Sequence, residues 1–303
     1  MYRLLGFALL AAPVCAQTPA VKIPGQGSVA ATPELGSVAW QRDFDAALAT
    51  SAAQHRPVFL LFQEIPGCST CTGFGKDVLS HPLLAAAIEQ CFVPVAVRNN
   101  VEGKEQQVLQ RYDEPASNNP VVRFVDAAGN DLLPRKDGVW DAHGIAARMI
   151  AALEKAKVPV PGYLRIAHAE SDPDTAKAVF AMHCFWEGEA VLGALDGVTA
   201  TRSAFAGNAE VVEVTFRPAV LSEAALTERA QAKSCKTVTG GVLKQAPASD
   251  QQHALGGTPY GKLDLSPMQR TKVHSALTLG TDAKVWLTPA QVAALAKLQQ
   301  EKR

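Results

Sequence analysis

Two places in this chain set a cysteine where its sulfur can act as a nucleophile. In the first, Cys68-Ser69-Thr70-Cys71 follows the apolar run Pro57–Phe62 and a turn, Glu64-Ile65-Pro66-Gly67, and leads into a helical stretch. A Cys-x-x-Cys pair at such a junction turns its first sulfur toward solvent and the helix N-terminus, which favours the thiolate. Cys68 is therefore expected to attack. Cys71, one helical turn on, is expected to close a disulfide and release whatever Cys68 holds. A structural disulfide and half of a zinc site use the same spacing, but zinc needs two more ligands, and His81 and Cys91 make no second paired knuckle. No metal is expected. In the second place, the apolar strand Phe180-Ala181-Met182 runs through His183 into Cys184-Phe185-Trp186 and then a helix, so Cys184 also sits at a helix N-terminus between aromatic neighbours.

The elements that must hold these residues fall into two groups. At 303 residues and 48% apolar content the chain exceeds what one core usually encloses, so two domains are expected. Lysine plus arginine equals aspartate plus glutamate at 29 each, and basic runs are absent, which argues against nucleic acid as a partner. Met1-Tyr2-Arg3, the apolar run Leu4–Val14 and the small residues before Gln17 read as a secretory signal peptide, 1–16, cleaved near Ala16. The run is too short for a membrane span, which takes about 20 apolar residues. Val14 before Cys15 argues against a lipid-attachment signal. The mature protein is thus expected outside the cytoplasm, periplasmic or extracellular, and soluble. It keeps five of the six cysteines, an odd number that leaves at least one thiol free or exchanging.

Residues 17–35 read as a flexible leader. A helix from Phe44 to Ala53, a buried strand at 57–62, helices at Phe74–Ser80 and Pro82–Gln90, and a strand at Phe92–Val97 with Pro94 at an edge or bulge come next. A helix at Glu102–Tyr112, a hairpin from Val121 to Leu133 and a helix at Asp141–Lys157 complete the order of an α/β thioredoxin fold over 36–157. Val158-Pro159-Val160-Pro161-Gly162 breaks regular structure and is read as the linker, 158–162. Residues 163–303 follow an α+β pattern: strands at 176–182, 198–205 and 211–216, helices at 187–195 and 222–232, a polar Gly-rich stretch at 236–263, and a closing amphipathic helix at 289–302.

Ile65-Pro66-Gly67-Cys68-Ser69-Thr70-Cys71 resembles the VPGU motif of a thioredoxin-like selenoprotein family, with Cys68 where selenocysteine can stand. The resemblance covers roughly 36–156 and implies a redox-active position 68. Thioredoxin-like folds place a cis-proline beside the Cys-x-x-Cys to bind extended substrate backbone, and Pro120, after Ser117-Asn118-Asn119, is the candidate.

Cys184-Phe185-Trp186 resembles the Gly-Cys-Phe-Trp signature of the methionine-S-sulfoxide reductases. Leu195-Asp196-Gly197-Val198, Ser203-Ala204-Phe205-Ala206-Gly207 and Asn208-Ala209-Glu210-Val211 follow in that family's order. The resemblance implies that Cys184 attacks a sulfoxide sulfur and that Glu210 protonates the departing oxygen. The sulfenic acid left on Cys184 condenses with a second thiol, and Cys235 is the other cysteine of this region. Phe185 and Trp186 form the apolar wall for the methionine methyl group. His183 replaces the family's glycine, Phe205 stands where a tyrosine is expected, and the loop after Gly207 is missing. Asp264-Leu265-Ser266-Pro267-Met268-Gln269-Arg270 aligns Asp264 with a supporting acid and puts Gln269 at a second tyrosine. His183 and Tyr260 are the replacement donors nearest to hand. Cys91 reads as a small buried hydrophobe.

The expected function is reduction of peptide methionine-S-sulfoxide through Cys184, with the Cys68/Cys71 dithiol recycling it. The alternative is a thiol-disulfide oxidoreductase whose second domain only binds oxidised proteins or peptides. No cofactor is expected, because no nucleotide or flavin motif is present; electrons would come by thiol exchange from an upstream, membrane-borne donor.

Overall fold

A computed structural model of the chain describes residues 32–117 and 120–301. The expected signal peptide, the leader as far as residue 31 and the Asn119–Pro120 peptide bond lie outside the described residues.

In the first half, α1 (Phe44–Gln54) starts at Asp43, whose carboxylate accepts the Ala46 N–H at 3.0 Å. The apolar run becomes β1 (Val58–Gln63), buried at every position because both faces are covered. It is followed by α2 (Ser69–Asp77), α3 (Pro82–Cys91), β2 (Val93–Arg98), α4 (Lys104–Arg111), β3 (Val121–Val125) and α5 (Ala142–Lys155). The sheet runs β2-β1-β3, with β1 parallel to β2 and antiparallel to β3, so Pro94 does lie on an edge strand. Alternation sends Val58, Leu60 and Phe62 into one core with Phe44 and Leu109, and Phe59 and Leu61 into the other with Phe74, Leu84 and Met149. The second arm of the expected hairpin is not a strand: only Asp131 bridges to Val125, because the Asp126 carboxylate takes the Ala128 and Asn130 N–H groups and curls the chain.

Two sequence expectations are corrected here. The leader does not extend to residue 35: a 3₁₀ turn at Pro33–Leu35 packs on α2, with Glu34 and Leu35 buried. Gly75 permits this, since a Cβ there would strike the Pro33 carbonyl and the Glu34 backbone. The break at 158–162 is also shorter than read. Gly162 begins α6 (Gly162–Glu170), whose Tyr163, Leu164, Ile166 and Ala167 complete the first core against α3 and α5. His143 of α5 and His168 of α6 stack with ring centroids 4.2 Å apart.

Beyond α6 come β4 (Ala176–Ala181), α7 (Phe185–Gly193), β5 (Val198–Ala206), β6 (Ala209–Phe216), α8 (Glu223–Gln231), β7 (Lys236–Thr237) and β8 (Leu243–Gln245). The sheet is antiparallel throughout, in the order β7-β4-β6-β5-β8. Elements β4 to β7 form a split β-α-β unit. Then α9 (Pro267–Leu279) and α10 (Pro289–Gln300) each start with a capping box, Ser266/Gln269 and Thr288/Gln291. α9 crosses α7, and its Lys272 donates to the Gly193 and Leu195 carbonyls, both at 2.8 Å, closing the α7 C-terminus. Among the described residues no helix is long and apolar enough to cross a membrane.

Candidate functional site

Cys68 is the N-cap residue of α2 and is exposed, whereas Cys71 on the first turn is fully buried. Their sulfurs lie 3.5 Å apart without a disulfide. The Cys71 backbone N–H, and then the Cys71 thiol, hydrogen-bond the Cys68 sulfur and hold its pKa below the ordinary thiol value. Burial, and then the neighbouring Cys68, pushes Cys71 up to about 11. The pair is therefore divided by environment into a ready nucleophile and a guarded second thiol.

The turn before Cys68 is fastened by two side chains. Glu34 accepts the Gly67 N–H at 2.9 Å, Asn100 bonds both the N–H and the carbonyl of Ile65, and the Ile65–Pro66 bond is cis. Gln63, buried in β1, donates to the Glu34 carbonyl at 2.8 Å and the Cys71 carbonyl at 3.1 Å. Glycine is required at 67, where a Cβ would lie 2.6 Å from Cys71 Cβ and 3.1 Å from its sulfur. Glu64 brings its carboxylate within 4.8 Å of both sulfurs. In the sequence Glu64 stands in a turn and Glu34 in the leader, and the four-residue step from Glu64 to Cys68 is the one local sign that the two meet. Pro120 is buried at the start of β3, and Trp140 donates to its carbonyl at 3.0 Å.

In the second half, Cys184 is the half-buried N-cap of α7. One Glu210 carboxylate oxygen accepts the Phe185 N–H at 2.8 Å, at the same helix end. Phe205 and Glu210 are direct partners across β5 and β6, and the Phe205 ring meets Phe185 edge-on at 5.5 Å. Cys184, Phe185, Phe205 and Glu210 are thus gathered in one place. Trp186 is partly exposed and stacks flat on His253, centroids 3.9 Å apart and planes within 10°. His274 on α9 holds this arrangement, accepting the Ala254 N–H at Nδ1 and donating from Nε2 to the Trp186 carbonyl. His253 was not foreseen, because it lies in the polar stretch that shows no period.

Cys235 is buried in the same cluster as Phe180 and Phe185. It precedes β7, whose Lys236 pairs with Ala181, so it lies one rung beyond that pair, toward the end of β4 that leads to Cys184. Burial and then the Glu187 carboxylate raise its pKa. Among the described residues no hydrogen bond joins Asp264, Gln269, Tyr260 or His183 to Cys184 or Glu210. Asp264 is exposed, and its carbonyl accepts from Gln291 of α10. Gln269 serves the α9 capping box and donates to the Trp286 carbonyl. Tyr260 packs beside the core around Leu255 and Leu295. His183 is exposed and Cys91 lies in the first core. One buried acid was missed altogether: Glu189 on α7 accepts the Gln252 N–H at 2.8 Å, and burial pushes it up to about 7.

Residues 39–127 match the family model Thioredoxin_7, described as thioredoxin-like. Among solved structures the chain is similar to one titled DsbH Oxidoreductase, at 20% identity over 45% of this chain and 96% of that one, with a TM-score of 0.34. No curated protein matches. The segment carrying β1, β2, β3 and both cysteines of the first site is a thioredoxin-like domain.

Proposed function

We propose that this chain is an exported thiol-redox enzyme with two reacting centres, one exchanging disulfides at Cys68 and Cys71 and one reducing peptide methionine-S-sulfoxide at Cys184. At the first, the Cys68 thiolate attacks a disulfide sulfur and displaces one thiolate. Cys71 then attacks Cys68, leaving the Cys68–Cys71 disulfide and a reduced partner. At the second, the Cys184 sulfur attacks the sulfoxide sulfur while Glu210 passes a proton to the oxygen. The thioether leaves and Cys184 becomes a sulfenic acid. Cys235 condenses with it, water departs, and the dithiol of the first site reduces the resulting disulfide. An upstream thiol-disulfide donor, membrane-borne, restores Cys68 and Cys71; no cofactor is required.

The observation that carries the second centre is the Glu210 carboxylate on the Phe185 N–H, directly beside Cys184 and the Phe185–Phe205 ring pair. A specific observation also favours the alternative, a thiol-disulfide oxidoreductase whose second half only binds oxidised proteins or peptides. Phe205 offers no hydroxyl where it faces Glu210, and the Gln269 amide is taken up by the α9 capping box and the Trp286 carbonyl. The deciding experiment is turnover of a methyl-sulfoxide peptide, resolved by epimer, with dithiothreitol as reductant. Loss of the S epimer that Cys184→Ser abolishes establishes the first reading. Absence of turnover, with disulfide reduction lost only in Cys68→Ser, leaves the alternative.

A further inference from the structure

The geometry points to a second use of the reduced first site: Cys68, Cys71 and Glu64 together bind one thiophilic divalent cation of the zinc type. This goes beyond the catalytic reading and does not depend on it. The three ligand atoms lie within 4.8 Å of one another, and the sulfurs are 3.5 Å apart. Zinc–sulfur bonds of about 2.3 Å at a tetrahedral angle put two sulfurs about 3.8 Å apart, so the pair needs to open only slightly. The half-buried Glu64 side chain can close its own gap by rotating, whereas its backbone is set by the fastened turn at Ile65 and Gly67.

Charge argues in the same direction. In the dithiolate state this corner gathers three anionic groups, and no lysine or arginine forms an ion pair with Glu64 among the described residues. Two sulfurs select against calcium and magnesium, which prefer oxygen. No fourth histidine, cysteine or carboxylate joins the cluster among the described residues, and Cys68 is exposed, so the fourth position falls to water or an external thiol. Binding forms two metal–sulfur bonds and one metal–oxygen bond and sends the two thiol protons to solvent. Oxidation to the disulfide removes both sulfur ligands. Metal occupancy and dithiol oxidation are therefore mutually exclusive.

The test uses the full mature chain, reduced with a phosphine, stripped of metal and titrated with zinc against a chromophoric chelator at several pH values. The expected result is one zinc per chain, with affinity rising at least about tenfold per pH unit as protons are displaced. The diamide-oxidised chain should bind at least a hundredfold more weakly. Glu64→Gln should weaken binding about tenfold or more, since even losing an outer-shell partner costs that much. Cys184→Ser should bind as the parent does. Equal binding by the oxidised chain, insensitivity to Glu64→Gln, loss in Cys184→Ser, or one zinc per two chains would each overturn the proposal. No readout involves turnover, so failure here is separate from failure of the catalytic reading.

Discussion

The contrast between the two sulfurs of the first site sets the pace of its chemistry. Once a substrate is joined to Cys68, the Cys68 charge is gone, and burial, the larger cause, still holds Cys71 well above the ordinary value of 9.0. Taking the free-dithiol value of about 11 as the upper limit, as few as one Cys71 in roughly ten thousand is thiolate at pH 7, against one in roughly a hundred for an unperturbed thiol. A thiolate of higher pKa is intrinsically more nucleophilic, which recovers about tenfold of that deficit. Release should therefore be slower at pH 7 than for an unburied thiol, by up to about tenfold, and should quicken about tenfold per pH unit between 6 and 9. The assay loads Cys68 with 5-thio-2-nitrobenzoate and follows release of the coloured thiolate by stopped flow. Cys71→Ser should retain the adduct at every pH. A release rate independent of pH across this range refutes the reasoning.

Other perturbations probe the second half and the junction between the halves. Phe205→Tyr restores a hydroxyl opposite Glu210 and should raise sulfoxide turnover at least about tenfold, measured as kcat, since single oxyanion donors are worth that or more. Glu210→Gln keeps an acceptor for the Phe185 N–H but loses the proton, and should cut kcat by about a hundredfold or more with Tm little changed. Glu189 ionises near 4.5 when unfolded and at about 7 when folded, so stability falls as pH rises between those values, by about 3 kcal/mol in all. Glu189→Gln should remove that fall in urea titrations and raise the midpoint at pH 8. His168 behaves in the opposite sense: burial, then His143 and Arg217, lower it from 6.5 to about 4, so its stabilisation is present above 6.5 and is lost as pH drops toward 4. His168→Gln should flatten that acid limb.

Much of the first half was legible because its signals are local. The apolar run at 57–62 reads as a covered strand by its length and bounding turn residues, and Cys68 at a helix start follows from the pair's place after that strand. Helix α9 carries no such period. In α9, Met268, Gln269, Thr271, Lys272, Val273, His274, Ser275 and Ala276 are all buried, so polar residues stand at interior positions and no amphipathic stripe exists to be read. Gln269, Thr271, Lys272 and His274 find distant partners, such as the α7 carbonyls for Lys272, which sequence spacing cannot reveal. Glu34 was hidden for a similar reason, since its partner Gly67 lies 33 residues away. In the second site, Glu210 and Phe205 arrive together because a tight hairpin pairs them, while Asp264 was aligned across a segment that folds as a helix start and serves α10 instead.

The placement of α6 governs how the chain comes apart. Its apolar face completes the first core, and its other contacts run to α9 and to the turn at Ala283–Trp286, with Glu170 accepting the Met268 N–H. Burial of Leu164 and Ile166 alone is worth about 1.5–3 kcal/mol each, so neither half keeps its full stability once this helix is withdrawn. A protease that nicks Val158–Pro161 would leave two fragments that still migrate as one particle. Heating would melt them in a single cooperative transition, the halves sharing one fate although each carries its own chemistry.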